Sequence, residues 1–278
     1  MKIYSPYQTE LWKRCPILRQ LREWEPRRVG KRDLAALLGK SFADCISAYH
    51  LRNSGCTRSA SEWGDIARSY IKLAFTRQEQ ETKWIGAYDQ KQADSLGERA
   101  GSLIEHYVNT EPHFPTEWKI LDVERSLVNH GNARLDLGID DGRSPCVLDY
   151  KVKLSLPANN EQREIERWRH SGQLFHYTWA YSQIHNVPID HFYIGLVVAE
   201  PFRFKLIEFP VHPDVMSVWV QSNMRVWAEM EKEDKGEAVP WMADIHSDNY
   251  GPCEMYKACF EYQWDETFMA EDYVKKVR

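Results

Sequence analysis

The sequence predicts an α/β protein, an α+β mixed sheet with helices on its faces and helical additions ahead of it. Three observations lead there. Residues 83–211 read as helix, three strands, helix and two further strands, the order of a mixed sheet covered by helices. Within that order, Asn132–Lys153 is rich in strand formers on either side of Asp141-Gly142, a dipeptide that supplies the positive φ angles a tight hairpin needs. Residues 1–117, by contrast, are mainly helical in their periodicity.

Taken in order, Ser5 caps a first helix with Pro6 at its first position, and the Cys15-Pro16 step ends it. Residues 31–52 form a second helix, because Leu34, Leu37, Leu38, Phe42, Ile46 and Tyr49 recur at helical spacing. A polar loop over Asn53–Ser61 leads into a helix over Glu62–Arg77. Lys83–Asn109 is helical, with a break expected near Gly97–Gly101. Trp118–Asn129 reads as the first strand of the sheet, and the hairpin follows. Residues 154–160 are a loop, and Glu161–His185 reads as one long helix with Gln173 and Tyr177 at i and i+4 on one face. Asp190–Ala199 and Phe202–Val211 are strands, and His212-Pro213-Asp214 opens a helix to about Lys232. No internal repeat or low-complexity linker interrupts the chain. A single domain over 1–278 is therefore expected: helical 1–117, a core over 118–235 and a tail over 236–278.

Composition narrows the function classes. Hydrophobic residues make up 43% and charged residues 28%, as in an ordinary soluble globular protein. The net charge of −5 means that any phosphate-binding surface must be a local basic patch. The first residues lack the apolar core of a signal peptide, and no apolar run is long enough to cross a bilayer. With six cysteines besides, a reducing cytoplasmic setting without membrane contact is expected. Phosphate loops, dinucleotide fingerprints, serine-hydrolase elbows, H-E-x-x-H and Cys-x-x-Cys are all absent.

One constellation with chemistry remains. If the hairpin pairs, Asp136 and Asp149 approach on neighbouring strands, and Lys151 leaves the same strand face as Asp149. Two carboxylates can hold a divalent cation such as Mg²⁺, and the ammonium can stabilise charge building on a phosphate. Alone, Asp149 and Lys151 equally fit a solvated pair. Their order and spacing carry more. Asp136 followed by Asp149-Tyr150-Lys151 resembles the P-D…(D/E)-x-K signature of a large nuclease superfamily. Gln173-Leu-Phe-His-Tyr177, 22 residues after Lys151, resembles the Q-x-x-x-Y motif of its RecB-like branch, which includes phage exonucleases.

The resemblance implies a restriction-endonuclease-like core and a Mg²⁺- or Mn²⁺-dependent DNA nuclease, an exonuclease in recombination, repair or phage DNA processing. A recombination or helicase partner in a bacterial or phage-infected cell would fit. It also implies roles: Asp136, Asp149 and the Tyr150 carbonyl as metal ligands, Lys151 orienting the attacking water, and Gln173 and Tyr177 buttressing that lysine or contacting the nucleic-acid backbone. The first motif of the family, G-x-x-x-H with a glutamate four residues on, is altered. Gly39 is present, but Ala43 replaces the histidine and Ser47 the glutamate. Glu105, or failing that Glu124, is the candidate substitute, with Asp44 a quarter-turn away from the vacated position. The altered motif equally fits a non-catalytic nucleic-acid-binding or assembly subunit. In one branch, cysteines at both chain ends hold a 4Fe–4S cluster that ties the tail to the N-terminus. Here Cys15, Cys253 and Cys259 match three positions, and His246 is the candidate fourth ligand for such a cluster or for Zn²⁺. Simple burial of these cysteines is the alternative.

Overall fold

The longest strand formed is Pro145–Ser155, and the sheet is assembled around it. The computed structural model describes residues 2–14, 24–26, 28–29, 34–51, 58–80, 84–85, 90–110, 114–115, 117–131, 133–237, 247–248, 251–252 and 273–275. In chain order these form α1 (Pro6–Arg14), β1 (Trp24–Pro26), β2 (Arg28–Val29), α2 (Leu34–His50), α3 (Ala60–Gln80), β3 (Trp84–Ile85) and α4 (Gln90–Asn109). Then come β4 (Lys119–Val123), β5 (Ser126–Leu127), β6 (Ala133–Arg134), β7 (Leu137–Asp140) and β8 (Pro145–Ser155). The chain continues through α5 (Ala158–Arg169), α6 (Gly172–His185), β9 (His191–Glu200), β10 (Arg203–Pro210) and α7 (Pro213–Asp234). Short strands β11 (Ser247–Asp248), β12 (Gly251–Pro252) and β13 (Tyr273–Lys275) follow.

The main sheet has the order β10-β9-β8-β7-β4. Its neighbours are antiparallel except β8 and β9, which run parallel. Parallel neighbours cannot be joined by a tight turn, so the chain crosses over the sheet, and α5 and α6 are that crossover. The expected mixed sheet with helices on its faces is what forms. On one face Tyr150 points at α4, where its hydroxyl lies 2.7 Å from that of Tyr107. Gly195, paired with Tyr150, admits that ring, since a Cβ there would come within 2.7 Å of it. The opposite face carries Asp149 and Lys151 and lies under α6, whose Tyr181 hydroxyl donates to Asp122 of β4 at 2.6 Å.

Several elements differ from the sequence expectation, each for a physical reason. The helix expected over Glu161–His185 is two helices joined at His170-Ser171. Buried Trp168 and buried Tyr177 are nine residues apart, roughly half a turn out of phase on one straight helix, so both can face the core only if the chain bends between them. The break expected near Gly97–Gly101 does not occur. These glycines let α3 approach closely, and the Arg68 side chain lies where a Cβ on Gly101 would be. The hairpin loop has four residues, 141–144, and only Gly142 in it has positive φ. The first strand stops at Val123, because Glu124 turns into the left-handed region at φ 50°.

By packing, the chain divides into two units, Met1–Arg32 with Gln78–Ala87 and Gln221–Arg278, and Asp33–Arg77 with Tyr88–Val220. The second holds the main sheet and its aromatic core of Phe42, Tyr49, Trp63, Tyr107 and Phe192. In the first, β1 pairs antiparallel with β13, and β2 pairs parallel with β3. There too, Trp227 Nε1 of α7 donates to Thr9 Oγ1 of α1 at 2.9 Å. Among the described residues, no helix is long and apolar enough to cross a membrane.

Candidate active site

Strand alternation aims Asp149, Lys151 and Lys153 at one side of β8, and the register of β7 brings Asp136 alongside. Asp136 Oδ2 accepts the Tyr150 backbone N–H at 2.8 Å. Asp149 is buried, and its Oδ2 lies 2.6 Å from Lys151 Nζ as an ion pair whose angles do not make a hydrogen bond. Lys151 Nζ donates to Gln173 Oε1 at 3.3 Å, and Gln173 Nε2 donates to the Tyr177 hydroxyl at 2.8 Å. The bend ahead of α6 thus delivers both residues of Q-x-x-x-Y to the lysine. Tyr150 turns its own side chain to the other face, so only its backbone is available here.

The electrostatics are those of crowded carboxylates. Burial, then the charge of Asp149, raises the Asp136 carboxyl well above the usual carboxylate range, against the opposing Tyr150 N–H and Lys151; Glu124 adds to the rise. Burial likewise raises the Tyr177 phenol, and Asp149, Asp136 and Glu124 each push it further. Three carboxylates therefore act on one place.

The third, Glu124, arrives from the turn that ends β4. Its φ of 50° is costly for a glutamate, about 1–3 kcal/mol, and its N–H is held by the Asp136 carbonyl at 2.9 Å. Glu124 Oε1 accepts from Ser47 Oγ at 2.9 Å, and Arg134 Nε lies 2.5 Å from Oε2. Ser47 is the residue standing where the family pattern has a glutamate, so a carboxylate reaches that spot from the sheet instead of the helix. Glu105 is brought elsewhere. Its Oε1 accepts from Arg68 at 2.8 Å, and it is roughly 200° around α4 from Tyr107, the residue that faces the sheet. Cys15, His246, Cys253 and Cys259 lie outside the described residues.

A divalent cation suits this donor set. Asp149 Oδ2 is buried without a hydrogen bond, the half-buried Asp136 carboxyl stands beside it, and all the donors are oxygens, as Mg²⁺ or Mn²⁺ prefers. Further up β8, Asp141, Cys146 and His191 also gather ligand-type atoms within 4.8 Å. Their chemistry is different. Asp141 Oδ2 already accepts from Arg143 at 2.6 Å and Tyr193 at 2.9 Å, and His191 Nε2 lies 2.9 Å away. The guanidinium supplies the positive charge there, and burial pushes the Cys146 thiol well up, away from the thiolate a metal needs. This cluster is an ion-paired lock on the hairpin.

The comparisons with known proteins agree with this geometry. The model of the PD-(D/E)XK nuclease superfamily matches residues 4–270, and the chain belongs to that superfamily. Among solved structures it is similar to a protein of Eubacterium rectale named "Putative exonuclease", at 11% identity, a TM-score of 0.50 and coverage of 92% of this chain and 88% of the other. At that identity the likeness is one of fold. No curated protein matches the chain in sequence.

Proposed function

We propose that this nuclease is a divalent-metal-dependent DNA exonuclease with its centre at Asp136, Asp149, Glu124 and Lys151. The observation that carries the reading is the Asp149–Lys151 ion pair beside Asp136, with Gln173 and Tyr177 linked behind the lysine. Asp136, Asp149 and Glu124 would hold Mg²⁺ or Mn²⁺, with the Tyr150 carbonyl as a further donor. When bound, the ion supplies Lewis acidity and lowers the pKa of a water. Lys151 orients that water and faces the charge that develops on the phosphate. Gln173 fixes the lysine through its amide oxygen, while its amide nitrogen is anchored on Tyr177. Ser47 and Arg134 fix Glu124. The carboxylate that Ser47 does not provide is then supplied from the end of β4.

The test is degradation of linear single- and double-stranded DNA with Mn²⁺, comparing end-labelled and circular substrates. Lys151→Ala is expected to lower the rate by about a hundredfold or more, the usual size of losing one transition-state donor. Degradation that survives Lys151→Ala sinks this centre. Ala43 favours a second reading, a nucleic-acid-binding subunit without catalysis, which inactivity of the unaltered protein on all DNA forms would support.

A further inference from the structure

The face of the sheet that carries Lys151 does not stop there. The ladder pairs Lys151 with Leu196 and Lys153 with Val198 across β9, and pairs those in turn with Lys205 and Arg203 of β10. Partners across a ladder share a face. Lys151, Lys153, Arg203 and Lys205 therefore stand in two adjacent rows over a buried floor of Leu196 and Val198. The rows are about 7 Å apart, and β10 lies about 10 Å from β8. That span is the axial rise of roughly three nucleotides of a stacked strand. A recess of about 330 Å³ opens here, lined by Glu161, Leu196, Val198, Arg203 and Lys205.

Carboxylates of one helix meet three of these cations, Lys153, Arg203 and Lys205. On α5, Glu161, Glu164 and Trp168 recur at i, i+3 and i+7 and face the sheet. Glu161 Oε2 accepts from Arg203 at 3.0 Å, and its Oε1 accepts from Lys205 at 2.9 Å. Glu164 Oε2 lies 2.8 Å from Lys153 Nζ, which also sits 5.8 Å from the Trp168 ring centroid. Carboxylate and phosphate oxygens satisfy Arg and Lys in the same way. A nucleic-acid strand and these two glutamates would compete for the same donors.

We propose that Lys153, Arg203 and Lys205 form a phosphate-tracking path that leads a nucleic-acid strand to the Asp149–Lys151 centre, and that Glu161 and Glu164 occupy this path as internal phosphate mimics until a strand displaces them. The proposal rests on the nuclease reading for its direction, and its test is one of binding. Fluorescence anisotropy of a labelled single-stranded oligonucleotide, in EDTA and over a range of salt, measures affinity without cleavage. Lys205→Ala is expected to weaken binding and to flatten the slope of log K against log salt by about 0.7, one phosphate contact on a single strand. Arg203→Ala should do the same, but Arg203 also donates to the Leu156 carbonyl at 2.6 Å, so its fold is checked by circular dichroism. Glu161→Gln is expected to tighten binding by about two- to fivefold, the scale of one competing surface ion pair. An unchanged slope in Lys205→Ala, or unchanged or weaker binding in Glu161→Gln, overturns the proposal. So does failure of the unaltered protein to bind at low salt. Hydrolysis of bis(4-nitrophenyl) phosphate by the unaltered protein with Mn²⁺ tests the catalytic reading separately, since that substrate has no strand to track.

Discussion

At the scale of single residues, the site is a matter of which carboxylates converge. Asp136 and Asp149 are set by two paired strands, whereas Glu124 depends on a strained turn that only a compensating contact would keep. Ser47, Arg134 and the Asp136 carbonyl supply that compensation. Glu105, the first candidate from the sequence, is held by Arg68. Calorimetric titration with Mn²⁺ should therefore separate the two. Glu124→Gln keeps the size and the Ser47 bond yet loses the charge, and is expected to weaken Mn²⁺ by about tenfold or more. Glu105→Gln is expected to leave the affinity unchanged. The reverse result would return the third ligand to α4.

At the scale of elements, the β7–β8 hairpin must hold its register, because a slip of one residue would turn Asp149 and Lys151 to the other face. Asp141 is the device that pins it. Burial alone would raise its carboxyl, but the Arg143 N–H and guanidinium, the Tyr193 hydroxyl and the Ser144 N–H outweigh burial and hold it well below the usual carboxylate range. A depressed carboxyl gives stability that is present above the unfolded value of about 3.9 and is lost as pH falls below it. Denaturation by urea should show the loss in the unaltered protein below about pH 4. Asp141→Ala is expected to cost about 1–3 kcal/mol at neutral pH, because it leaves the buried His191 without that partner while Arg143 is half exposed to water, and to remove much of that acid sensitivity. An Asp141→Ala protein as stable as the parent would show that the loop geometry needs no such pin.

For the whole molecule, catalysis and stability pull against each other. Two crowded carboxyl groups without a cation weaken the sheet that presents them, and burial together with the Asp149 charge raises the Asp136 carboxyl accordingly. Asp136→Asn is expected to raise the melting temperature of the metal-free protein. In the unaltered protein, Mn²⁺ at a hundred times its Kd should add about 2.7 kcal/mol of stability, and in Asp136→Asn it should add little. Equal stabilisation by Mn²⁺ in both proteins would place the ion elsewhere. The net charge of −5 is no obstacle to a nucleic-acid substrate, because the cations that matter stand together on one face of one sheet.

The local signals that the chain carries in sequence were sufficient for much of this. Strand alternation around Asp141-Gly142, the two-residue step from Asp149 to Lys151 and the four-residue step from Gln173 to Tyr177 are short-range, and periodicity alone fixes which face each side chain takes. From them came the mixed sheet and the superfamily resemblance, which in turn implied that Gln173 and Tyr177 buttress Lys151 or contact the nucleic-acid backbone. Long-range packing decided the rest. Nothing local joins Ser47 to Glu124, 77 residues away, or Glu105 to Arg68 on the preceding helix. The bend at His170-Ser171 exists because Trp168 and Tyr177 must both be buried, a requirement visible only once the sheet beneath them is known. In the same way Lys153, Arg203 and Lys205 are three unremarked cations in the chain. They come to share one face with Lys151 only through the register of β8, β9 and β10, because ladder pairing, and not sequence distance, sets which side chains share a face.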